Sequence, residues 1–433
     1  MYRKCLFGLM ASAMFVCAAP VPAQPPVWEG RPATIYAWVL DPMEIAFDSD
    51  GFLYAGHNRN AHVRIYRIPP GGGVAEEWGT RTAHDPDAVD VCGDYVYFSS
   101  TRNVWRTHRQ TGITGRWTNF SVLRNMVGLV VDAFGDYAKP GDLFIANARK
   151  ANDIARIDAT TRKATPLVSS PHLHIPRGLQ FANGKLYCVE SQKSKGLWEI
   201  TPTGDVIRVD DAGFEWGSPS ALAYDSRRDA FYVGDDRRGE VVRVPRAGGD
   251  AKVVAWGFPK TDPSIAGLTF DEAGNLYASD GVNQVIWKMP PDSTPPTVEC
   301  LADPITLFPP NHKMVPVDVF IAAEDDVTSP EDLSLDAVFI SSNEPDEFVA
   351  DGDTAGDVNG EDGFLVPVDV TDLFEFDEII GGFLGTVELR AERAGDGDGR
   401  VYTIEAFVSD EAGNIGTSSC DVVVTHDKGK KKK

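Results

Sequence analysis

Ile265 to Met289, IAGLTFDEAGNLYASDGVNQVIWKM, decides the fold. LTF alternates faces before a DEAG turn, LYA gives a second strand, DGVN turns the chain again, and QVIWKM supplies a third alternating run. The same unit occurs five times upstream. Aligned on the aromatic of its second strand, the copies fall on Tyr54, Tyr97, Phe144, Tyr187, Tyr232 and Tyr277, at intervals of 43 to 47 residues. A period in the forties with several strands per unit marks a propeller blade, because one small sheet buries both faces only when neighbours cover it. Six copies give a six-bladed β-propeller.

The fourth strand tests that reading. Earlier units end in an outer run such as VAEEW or AKVVAWG, whereas the sixth passes from Met289 straight into PPDSTPP. The missing strand lies at the other end, where ATIYAWVLDP (Ala33 to Pro42) looks like AKVVAWGFPKTDP. An N-terminal strand completing the last blade leaves no unpaired edge in the ring.

The expected organisation is therefore a signal peptide at 1–23, an extended Pro-rich lead at 24–32, the propeller at 33–289, a Pro-rich linker at 290–296, a β-sandwich at 297–427 and a Lys-rich tail at 428–433. The first 23 residues combine a basic start, an apolar run and a small-residue VPA, which predicts cleavage near Ala23 and a secreted, periplasmic or cell-surface protein. No later stretch is long and apolar enough for a membrane-spanning helix. In an oxidising compartment Cys300 and Cys420 are candidates for a disulfide, while Cys92 and Cys188 read as buried small hydrophobes.

Charge divides the chain. Of 64 acidic residues 33 lie at or before Thr294, against 32 of the 41 basic ones, so the propeller is near neutral and the C-terminal region strongly acidic. Such acidity argues against nucleic acid as a partner and fits bound cations or solubility.

The phrases PMEIAFDSDGFLY, PRGLQFANGKLY and PSALAYDSRRDAFY resemble the six-bladed propellers of the NHL repeat and of the senescence marker protein/gluconolactonase type. That resemblance implies an architecture and leaves activity open. In gluconolactonase-like enzymes a divalent cation sits in the channel on a blade-one Glu and later Asn or Asp residues. The matching candidates are Glu44, Asn147 and Asp235, oxygen ligands suited to calcium, although the family's Glu-Gly-Pro opening is absent. The alternative for these residues is turn capping. Asp87 and Arg177 are further channel candidates, Arg177 either as an anion contact or as a partner of Asp87. His84 and His174 precede the prolines opening blades two and four, and Asp262 holds the corresponding place in blade six. This is similar at two of three positions to the three-histidine zinc arrangement of peptide-amidating lyases.

Beyond the linker the runs lengthen, as in VPVDVFIAAED and RVYTIEAFVSD, which predicts a sandwich. FPPNHKMVPVDV, SSNEP, LRAERAGDGDGRVYTI and SDEAGN resemble bacterial extracellular immunoglobulin-like domains related to hyalin repeats. The resemblance implies an adhesive or accessory module. Within it, DGDTAGDVNGED crowds Asp351, Asp353, Asp357 and Asp362 into a candidate calcium loop, while Asp396 and Asp398 read as a hairpin turn. Two functions follow as expectations: an exported recognition protein binding a small molecule, glycan or protein at the channel mouth, or a metal-dependent hydrolase of the lactonase kind.

Overall fold

The computed structural model describes the chain apart from residues 1–23, 58–63, 81–85, 101–102, 119–125, 148–152, 211–212, 262, 346–353, 395–398 and 426–433. It divides into two compact units, Met1–Pro290 and Pro291–Lys433, a boundary that falls within the Pro-rich linker.

The first unit is a six-bladed propeller. Its inner strands are Pro42–Phe47, Pro86–Cys92, Met126–Asp132, Pro176–Ala182, Pro219–Asp225 and Ile265–Phe270. Each inner strand neighbours the next, and the sixth neighbours the first. Blades one to five carry their own four strands in antiparallel order. In blade six, Ile265–Phe270, Leu276–Asp280 and Val285–Met289 are followed by Thr34–Trp38, with Ile286 opposite Ala37 and Lys288 opposite Thr34.

The repeating aromatics fill the layers between blades. Tyr54 packs with Val89 and Phe98 of blade two, Tyr232 with Ile265 and Leu268 of blade six, and Tyr277 with Ile45 and Leu53 of blade one. Each buries a large apolar ring while its hydroxyl keeps a partner, as when Tyr54 and Tyr277 donate to the turn carboxylates of Asp48 and Asp271. Serines lace neighbouring blades: Ser99 Oγ donates to Met126 O, Ser220 Oγ to Ile265 O and Ser279 Oγ to Met43 O. The last of these ties blade six to blade one.

Residues 24–32 do more than lead in. Val27–Trp28 pairs with Ala255 and Trp256 on the outer edge of blade five, and Trp28 lies buried against Tyr232. Arg31–Pro32 turns back beside it.

The second unit is a β-sandwich. One sheet orders Thr297–Asp303, Met314–Glu324, Gly382–Arg390 and Phe374–Asp377; the other orders Thr306–Leu307, Ile415–Val424, Arg400–Ser409, Ser334–Ser342 and Val368–Asp369. Alternate residues of both sheets, among them Val319, Ile321, Val387, Ile340, Ile404 and Val422, meet in one core. The Cys300–Cys420 disulfide joins the two sheets.

Candidate functional site

Where inner strands crowd the axis, small residues dominate. A Cβ on Gly128 would come 2.3 Å from Arg177 O, one on Gly178 2.8 Å from Leu222 N, and one on Gly267 2.8 Å from Glu44 Cα. Blade one places Glu44 at the position aligned with these glycines. Its Oε2 accepts the Val89 N–H of blade two at 3.0 Å, and the Leu129 N–H contributes as well. Asp90 repeats the device one blade on, accepting Val91 N–H and Val131 N–H, each at 2.8 Å.

These two carboxylates line a channel cavity of about 300 Å³ together with Gln180, Thr269, Phe47 and Phe270. Burial drives Glu44 well above the usual carboxylate range, the neighbouring Asp90 charge adds to the rise, and the N–H donors oppose it. Burial likewise raises Asp90 to about 6, against the same kind of opposition from Val131 and Val91 N–H. Two adjacent carboxylates that resist carrying two charges suit a shared proton, a cation, or a ligand rich in hydrogen-bond donors. Asp90 escapes sequence reading because AVDVC looks like an ordinary alternating strand.

The other channel candidates have different employment. Asp235 ends the second strand of blade five and accepts N–H groups from Gly217, Ser218 and Arg238. Glu190 does the same for His174, Ile175, Gln192 and Lys193, and Asp280 for Val282 and Asn283. Glu190 and Asp235 thereby fasten the loop entering the inner strand to the turn after the second strand, and Asp280 holds that turn in blade six. Asn147 holds the equivalent position in blade three and donates to Asp153 at 3.1 Å. Arg177 reaches Asp236 at 3.3 Å, and Asp236 also accepts Ser264 and Ile265 N–H. Asp87 is half-buried at the start of its inner strand. His174 is half-buried beside the blade-four entry, whereas His84 and Asp262 lie outside the described residues.

A second cleft, of about 640 Å³, opens at the seam of blades one and six between Tyr36, Asp50, Asp271, Glu272, Tyr277 and Lys288. Its inner carboxylates are engaged, Asp271 by Asn275 and Tyr277 and Asp48 by Arg109 at 3.0 Å.

In the sandwich, Asp357 is fully buried and faces two guanidiniums, Arg390 Nε at 3.3 Å and Arg400 Nη1. Those cations neutralise it where the sequence suggested calcium. Asp362 is exposed and accepts Phe364 N–H, while Asp351, Asp353, Asp396 and Asp398 lie outside the described residues. Among the described residues, the acidic, His or Cys groups that converge as a triad, with ligand atoms within 4.8 Å of one another, are Asp292, Asp325 and Asp410.

No protein-family model matches this sequence, and no curated protein shows a significant match. Among solved structures, the chain is similar to a nidogen/laminin complex at 15% identity over 53% of this chain and 91% of that one, with a TM-score of 0.43. It is similar to a gluconolactonase of Xanthomonas campestris at 15% identity over 63% and 96%, TM-score 0.47. It is also similar to a putative oxidoreductase (glucose dehydrogenase) of Thermus thermophilus at 15% identity over 59% and 98%, TM-score 0.42.

Proposed function

We propose that this chain is an exported recognition protein whose propeller binds a small cationic or hydroxyl-rich ligand in the channel, with an acidic immunoglobulin-like accessory module following it in sequence. One observation carries the reading: Glu44 and Asp90 sit side by side on the channel cavity, each held in place by backbone N–H groups. Acceptors fixed this way need little reordering on binding, so a complementary donor keeps most of its interaction energy. A cavity of about 300 Å³ takes a monosaccharide-sized molecule rather than a polymer. Export rests on residues 1–23, and the accessory role on the phrases shared with hyalin-related domains.

The test is calorimetric titration of the mature chain with small sugars and amines, in parallel with Glu44→Gln and Asp90→Asn. Saturable binding weakened at least tenfold in both variants supports the reading. Binding that ignores both substitutions, or an absence of binding across the panel, removes it.

The same adjacency favours a second reading, a metal-dependent hydrolase, since two carboxylates supply hard oxygen ligands for a divalent cation. Glu44 and Asp90 would hold the ion, which would polarise a carbonyl. Lactone turnover that is abolished by chelation and by Glu44→Gln selects this reading over simple binding.

A further inference from the structure

We infer that the sandwich carries a calcium site formed by Asp292, Asp325 and Asp410, independent of whatever the channel binds. The three residues are far apart in sequence. Asp292 lies in the segment before the first sandwich strand, Asp325 directly follows Met314–Glu324, and Asp410 directly follows Arg400–Ser409. Folding nevertheless brings one ligand atom from each within 4.8 Å of the others. Asp292 and Asp410 are each only 6% exposed.

Two of these charges meet no cation among the described residues. Asp325 and Asp410 form no ion pair with Lys, Arg or His among the described residues, unlike Asp357 elsewhere in the same unit. Asp325 Oδ2 accepts Val327 and Thr328 N–H, yet its Oδ1, wholly buried, accepts no hydrogen bond. A desolvated carboxylate oxygen without a donor is costly, and placing it beside two further carboxylates adds repulsion. A cation at their centre removes both penalties.

The donor set identifies the ion. Oxygen ligands alone select a hard cation rather than zinc. Calcium takes six to eight oxygen ligands in a flexible geometry, which carboxylates from three separate segments can supply in part. Magnesium wants shorter bonds and keeps its waters, so three closing carboxylates suit calcium better. The bound ion would clasp the 291–294 segment to the loops that follow two strands of opposite sheets.

The experiment is calorimetric titration of the EDTA-treated full chain with calcium chloride, with thermal unfolding recorded at each concentration. One saturable calcium site that raises the unfolding temperature is expected, with magnesium at least tenfold weaker. Asp325→Asn retains an oxygen for Val327 and Thr328 N–H, so the fold survives while calcium affinity falls at least tenfold; Asp410→Asn gives a second, independent loss. No calcium binding by the parent chain overturns the site. So does binding of unchanged affinity in both variants, which would place the ion elsewhere.

Discussion

Several buried carboxylates of the propeller meet different partners from those of the sandwich. In the propeller, Glu190, Asp235 and Asp280 accept backbone N–H groups from the loops and turns beside them. In the sandwich, Asp357 and Glu344 are met by Arg400, a guanidinium only 1% exposed. The difference follows from repetition. The junction after the second strand recurs from blade to blade, and in blades four, five and six that strand ends on an acid, Glu190, Asp235 and Asp280. The sandwich has no such repeat, and charge must be matched side chain to side chain. Among the described residues Asp325 and Asp410 have no ion-pair partner, and the calcium ion inferred above would supply one.

The sharpest way to break this comparison is Arg400→Met. It leaves Glu344 without its guanidinium and Asp357 with Arg390 alone, and we expect a loss of about 3–5 kcal/mol, read by denaturant unfolding of the sandwich. A loss below about 1 kcal/mol would mean that the ion pairs do not neutralise these acids. Next, replacing Cys300 and Cys420 together by serine should cost the sandwich about 2–5 kcal/mol and leave the propeller transition unmoved. A propeller counterpart is Asp235→Ala, which leaves the Gly217, Ser218 and Arg238 N–H groups without their acceptor. About 1–3 kcal/mol should disappear from the propeller transition, with the blade-five entry loop exchanging amide hydrogens faster.

The last expected effect is pH-dependent. Folding raises Asp90 from the usual carboxylate range to about 6, so the folded chain binds this proton more tightly than the unfolded one. The stability contribution is therefore complete below about pH 4, falls as pH rises through 6 and is flat above. Subtracting the unfolding profile of Asp90→Asn from that of the parent isolates it, with an expected amplitude of about 3 kcal/mol. A difference that instead grows with pH would contradict the burial argument.

Much of this was legible in the residues because it repeats. Tyr54, Tyr97, Phe144, Tyr187, Tyr232 and Tyr277 announce the blades, and the absent fourth run after Met289 points to Thr34–Trp38. The Cys300–Cys420 bridge was equally visible from position. Val27–Trp28 was not, since two residues have no periodicity and their place on blade five depends on Trp256, far along the chain. Asp357 read as a calcium ligand because its acidic neighbours are local in sequence while Arg390 and Arg400 are remote. Asp90 and the Asp292–Asp325–Asp410 cluster share that cause: their meaning is set by strands from other parts of the chain. Glu44 stood out in sequence as a charge in an inner strand, and the structure places it on the channel cavity.

The ring itself admits the most direct test. Thr34 and Lys288 face each other across the last antiparallel pair of blade six, within the reach of a disulfide. Oxidation of a Thr34→Cys/Lys288→Cys double variant should link peptides from the two ends of the propeller in nearly every molecule and raise its unfolding temperature. If mass spectrometry finds those two cysteines unlinked under conditions that form the Cys300–Cys420 bond, blade six is not built this way.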